Sequence, residues 1–204
     1  MIDIILVKMM TYKIILQNQR LINFFYHFIN LNSKLLALRN FPDLFQVVRN
    51  ECPGLTNFSD ACIIIYSKKG FKLVDSELFF IGDILNSGNN LFIKFPLNIG
   101  LTGIAFNNKK IYLGYNGSCE KLYVSEIDNL MSLPLVNNIV VIPLVDDKNC
   151  PLGILHLYNK KDKLEFNDKK RLNPLKRMIG ICIRNLLEMS DSDFLHSFIN
   201  QNLK

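Results

Sequence analysis

The hydrophobic pattern predicts an α+β fold, with a central antiparallel sheet and helices at both ends of the chain. Three observations carry that expectation. Apolar residues recur at helical spacing near the start and near the end, the middle switches to short β-branched runs, and turn sequences join most of those runs.

The first helix is read from Leu21, Phe24, Phe28, Leu31, Leu35 and Leu38, whose alternating spacings of three and four make a heptad seam. Such a stripe serves equally well to pack on the protein's own sheet or to pair with a second chain. Pro42 is expected to end this helix and to start the next, "PDLFQVVRNEC", from its first turn. Cys52-Pro53-Gly54 then reads as a turn.

Strands follow. "ACIIIYS" (61–67) suits a buried central strand, and Lys68-Lys69-Gly70 turns the chain into "FKLVDSELFF" (71–80). "NLFIKFPL" gives a third strand and "KKIYLG" a short fourth. Residues 116–138 have mixed character, with helical turns around Lys121 to Met131, as in a lid. Two more apolar runs in "VVIPLVDDKNCPLGILHLYN" are joined by Asp146-Asp147-Lys148-Asn149, a strong hairpin signal.

The closing helix carries Leu172, Leu175, Ile179, Cys182 and Leu186 on one stripe. Pro174 is expected to begin it, with Asn173 as its cap, after a turn started by Asn167. "SDSDFLHSFINQN" reads as a short final helix capped by Ser190 or Ser192.

Composition narrows the function. The 204 residues, 49% of them hydrophobic, suffice for one sizeable core. Asp3 and Lys8 interrupt the apolar start, and no stretch supplies the roughly 18 uninterrupted apolar residues of a spanning helix, so the expected setting is cytoplasmic, away from membranes. The motif-free start, Met1 to Met10, also suggests that the natural N-terminus lies elsewhere. Five scattered cysteines form no CxxC and stand beside no histidine at ligand spacing, which argues for buried thiols and against a metal. The net charge of +6 concentrates between Lys160 and Arg184, where acidic residues punctuate it and stacking aromatics are absent. A solvated helix face fits this better than nucleic-acid contact.

One stretch stands apart: "FPLNIGLTGIAFNNKKIYLG", where Gly100 and Gly103 bracket Thr102 ahead of a helix. Taken in order with "ACIIIYS", "VVIPLVDDKNCPLGILHLYNK" and "FNDKKRLNPLKRMIGICIRN", it resembles a GAF domain over about residues 35–190. The resemblance implies a sheet of about six strands, terminal helices on one face and a lid over the other. It divides the chain into an N-terminal helical extension (1–34), the GAF-like domain (35–190) and a C-terminal tail (191–204).

Three activities of that family can be checked against the residues. Cyclic-nucleotide-binding members carry Asn-Lys, then Phe, then an acidic pair three residues on. Asn159, Lys160 and Phe166 match, but Lys170 and Arg171 occupy the acidic positions. Lys160 is therefore expected to meet a cation, at roughly 1 to 4 kcal/mol for a pair at about 4 Å, unless Asp162 or Asp168 compensates. Members that reduce free methionine sulfoxide place a cysteine before the second glycine. Thr102 stands there, and a hydroxyl cannot replace a thiolate. Bilin-binding members use a cysteine in a lid context not found around Cys119, while His156 offers itself as a haem ligand or as a packed strand residue.

The resemblance thus implies a non-enzymatic sensory or regulatory domain without a cofactor. It would bind an unidentified small molecule near Phe95, Thr102, Ile104, Tyr112, Asn116, Ser125 and His156. It would also pair with a second copy or a partner protein through the Leu21–Leu38 and Leu172–Leu186 helices. Two alternatives are a structural module docking into a cytoskeletal or ciliary assembly, and a regulatory fragment of a cyclic-nucleotide phosphodiesterase.

Overall fold

The computed structural model describes residues 2–66, 77–82, 91–96, 98–115 and 121–189; for residues 2–9, 17, 20, 77–82 and 91–96 it describes the backbone alone. The Lys68–Gly70 turn, Asn116, Cys119 and the helix expected after Met189 lie outside the described residues, as does the side chain of Phe95.

Helix α1 (Ile2–Ala37) leads into α2 (Phe41–Thr56), and strands β1 (Phe58–Tyr66), β2 (Glu77–Gly82) and β3 (Leu91–Pro96) follow. Helix α3 (Gly100–Asn108), strand β4 (Tyr112–Tyr115) and the single turn α4 (Ser125–Asp128) precede the hairpin of β5 (Asn138–Val145) and β6 (Pro151–Lys160). Helix α5 (Asp168–Met189) closes the described chain. The strands form one six-stranded sheet in the order β3-β2-β1-β6-β5-β4, with every neighbouring pair antiparallel.

Strand alternation divides the core in two. Ala61, Ile63 and Ile65 of β1, with Val140, Ile142, Leu144, Leu155 and Leu157, face α1, α2 and α5. Cys62, Ile64, Ile139, Val141, Ile154 and Tyr158 face α3, α4 and the segment leading to β5.

Both prolines expected to interrupt helices lie inside them. Pro53 sits within α2 and Pro174 within α5. Each removes one backbone donor, but each helix buries a continuous stripe: Leu44, Val48, Cys52 and Leu55 on α2, and Leu172, Leu175, Ile179, Ile183 and Leu186 on α5. At about 1.5–3 kcal/mol for each large apolar side chain, burial outweighs the roughly 3 kcal/mol of an interior proline. The chain between α1 and α2 turns at Asn40, whose Oδ1 accepts from Asp43 N at 2.9 Å. The cap thus stands ahead of Pro42, as an N1 or N2 proline requires.

The heptad seam packs within the molecule from Phe24 to Leu38, while Leu21 at its start is exposed. Leu31 and Leu35 are buried in the core that α2 and α5 share, and Phe24, Phe28 and Leu38 pack against it. The stripe from Leu172 to Leu186 is buried in the same core. The boundary expected between residues 34 and 35 falls inside α1, next to this packing.

Helix α5 also approaches β5 unusually closely. A Cβ built on Gly180 would lie 2.0 Å from the Val145 carbonyl oxygen. Only glycine permits that contact, and it fixes the distance between helix and sheet. Gly180→Ala is therefore expected to destabilise the protein by about 3 kcal/mol. Thermal melting reads this as a fall of roughly 6–12 °C.

Candidate functional site

On the sheet face away from the long helices, α3 begins at Gly100 with φ +69°, after Asn98 at φ 63°. The N-cap residue of α3 is Ile99, which has no side-chain group to hold the first amides. A distant carboxylate does so instead. Asp128, fully buried at the end of α4, accepts from Leu101 N at 3.0 Å and Thr102 N at 2.9 Å. It also accepts from Val124 N at 2.8 Å and from Thr102 Oγ1 at 2.6 Å. Four donors and the positive end of α3 stabilise this buried charge. Gly100 is needed for its approach, because a Cβ there would come within 2.9 Å of Asp128 Oδ2.

Thr102 links this carboxylate to the sheet. Its Oγ1 lies 2.8 Å from His156 Nε2, and both residues are fully buried. Thr102 has one hydroxyl proton, which Asp128 takes, so Nε2 carries the proton that it donates to Oγ1. Nδ1 is then a bare acceptor, and it is buried with no hydrogen-bond partner among the described residues. Burial pushes the His156 pKa down from 6.5 to about 3, so the ring is neutral. Tyr158, two residues on, stacks beside it with ring centroids 5.8 Å apart, and its hydroxyl donates to the Asp128 carbonyl at 2.8 Å.

Of the residues expected at a site, Thr102 and His156 therefore meet directly. Tyr112 is half-buried at the edge strand, its hydroxyl accepting from Asn108 Nδ2 at 2.8 Å. Ser125 is exposed. Ile104 is half-buried and lies outside the apolar cluster that its neighbours Ala105 and Phe106 join. Sequence reasoning missed Asp128. The available signal was a helix beginning at an apolar residue, which demands a cap from elsewhere.

Lys160 does not meet a cation. Its Nζ pairs with Asp168 Oδ2 at 2.8 Å, with both side chains more than nine-tenths buried, and also donates to Lys163 O at 3.1 Å. Asp168 accepts from Glu165 N at 2.8 Å, so one carboxylate orders the turn ahead of α5 and neutralises Lys160. The ion pair is made from a position two residues ahead of the expected acidic pair.

No family model matches the chain, and no curated protein matches it in sequence. Solved structures do match. The chain is similar to the GAF domain of a phosphoenolpyruvate-protein phosphotransferase from Coxiella burnetii. The TM-score is 0.62 and the identity 15%, over 82% of this chain and 96% of that one. The GAF domain of A. aeolicus nlh2 in an inactive state gives a TM-score of 0.62 at 14% identity, over 81% and 98% of the two chains. The fold is a GAF fold. Free methionine-R-sulfoxide reductase from Neisseria meningitidis shares it, with a TM-score of 0.55 and 11% identity over 78% and 86% of the two chains. At these identities the likeness establishes the GAF fold alone.

Among the described residues no group of three or more His, Cys, Asp or Glu side chains is placed to hold a metal, and no helix is long and apolar enough to cross a membrane. His156, the haem-ligand candidate, has its Nε2 occupied by Thr102.

The buried imidazole makes stability depend on pH. The unfolded chain binds a proton on this ring below pH 6.5, whereas the native state does so only near pH 3. The contribution of His156 is thus complete above pH 6.5 and is lost progressively on acidification between those values, by about 2 kcal/mol at pH 5. Urea titrations at pH 7.5 and pH 5 should show that loss in the native chain. The same pair of titrations on His156→Leu should lack it.

Proposed function

We propose that the chain is a non-enzymatic regulatory domain of the GAF fold that pairs with a second copy of itself through α1. One observation carries this reading. Tyr12, Ile15, Gln19, Ile22, Tyr26, Ile29, Ser33 and Leu36 repeat at spacings of three and four over more than three heptads, and all are exposed. Ile22, Ile29 and Leu36 are 65%, 64% and 66% exposed. This seam is offset by two residues from Phe24, Phe28, Leu31, Leu35 and Leu38, which places it on the opposite side of the helix. No charged side chain interrupts it between Tyr12 and Leu36, so a second copy meets no like charge along the seam.

Two facts support the absence of catalysis. The turn of α3 carries Thr102, whose hydroxyl is held between Asp128 and His156. Burial raises the pKa of Cys52 to about 12 and of Cys182 to about 11, so neither is a thiolate at neutral pH. Light scattering should give a dimer for the whole chain, and Ile22→Asp with Ile29→Asp should weaken pairing at least 100-fold, equivalent to about 2.8 kcal/mol. A native chain that stays monomeric at every concentration refutes the reading.

A second reading, a small-molecule sensor, is favoured by the unpartnered Nδ1 of His156. A ligand donating a hydrogen bond to that atom would satisfy it on the face that carries Thr102 and, at its edge, Tyr112. Melting curves with cyclic AMP, cyclic GMP and a metabolite panel test this. A binder at about 100 times its dissociation constant adds about 2.7 kcal/mol of stability.

A further inference from the structure

Five lysines from two distant chain segments converge on one surface depression. Lys109 and Lys110 follow the end of α3, while Lys169, Lys170 and Lys176 lie along the first half of α5. With Asn173 among their neighbours, they line a concavity of about 550 Å³ that has no carboxylate in its wall. Among the described residues, the ion pairs involve none of these five ammonium groups.

The cluster is partly built into the fold. Lys176 Nζ donates to the Lys109 carbonyl at 2.6 Å, which ties the two segments together. Lys109 itself adopts φ 54°, a left-handed conformation uncommon for a residue with a side chain. Lys169 lies over the rings of Phe166, at 5.3 Å, and Tyr112, at 6.0 Å. Burial, and then the charges of Arg177 and Lys109, lower the pKa of Lys176. Lys169 and Lys170 also occupy the first turn of α5, where the helix dipole disfavours cations.

We propose that this depression binds a small molecule carrying two or more phosphate groups. Several cations without a counter-charge call for more than one negative charge, and lysine ammonium groups suit phosphate oxygens as point donors. The depression is open to solvent, as suits a strongly charged ligand. The phosphates could belong to a soluble metabolite or to a lipid headgroup.

Calorimetric titration of the whole chain with inorganic tripolyphosphate tests the site. Lys109→Gln with Lys110→Gln, and separately Lys169→Gln with Lys170→Gln, should each weaken binding roughly tenfold. Lys121→Gln with Lys148→Gln removes the same charge elsewhere and should leave affinity within about twofold. Melting temperatures establish that each variant is folded. Sedimentation with phosphatidylcholine vesicles, with and without a multiply phosphorylated inositol lipid, assigns the source. Pelleting that the site variants abolish indicates a headgroup, and tripolyphosphate binding without pelleting indicates a soluble ligand. The proposal is overturned if tripolyphosphate does not bind, if the control pair loses as much affinity as the site pairs, or if only duplex DNA binds.

Discussion

The Asp128 carboxylate holds together everything on one face of the sheet. A buried charge persists in a protein only where donors and dipoles replace the water it has lost. Here the donors come from α3, from the segment entering α4 and from a threonine that reaches back to β6. Because Ile99 leaves α3 without a cap of its own, the helix and the turn are stable only together. The left-handed backbone at Gly100 and the interior position of Thr102 both follow from accommodating that one group, whereas burial alone keeps His156 neutral.

The opposite face depends on apolar packing, and the contrast explains where the sequence was readable. Leu31, Leu35, Leu175 and Ile179 announce themselves by periodicity, Ile63 and Ile65 by a continuous apolar run, and all are in the core. So do β5, β6 and their turn, where Asp146 Oδ1 accepts from Cys150 N at 2.7 Å. Periodicity cannot tell what a stripe packs against. The seam from Phe24 to Leu38 read equally well as own-core packing or pairing, and it meets α2 and α5, while its mirror along Ile22, Ile29 and Leu36 stayed unread.

Local rules also failed where tertiary packing outweighed them. Pro53 and Pro174 are breakers in isolation, yet each lies in a helix whose apolar stripe is buried beyond it. The assumed spacing set Lys160 against Lys170 and Arg171, with Asp162 or Asp168 as the carboxylate that would compensate. A side chain finds its partner by distance in space, and Asp168 at the start of α5 is the carboxylate in reach. Thr102 and His156 are separated by 54 positions, and no pattern in one sequence joins them.

The two ends of the described chain share one core. Leu35 of α1 accepts a hydrogen bond from the Cys182 thiol of α5 at 3.4 Å, across 147 residues. During synthesis α1 leaves the ribosome first, and its inner surface has no complete bed to lie on until α5 follows. For most of translation both sides of that helix are therefore open to water and to other nascent chains. Until α5 emerges, Leu31 and Leu35 lack the packing that completes their core.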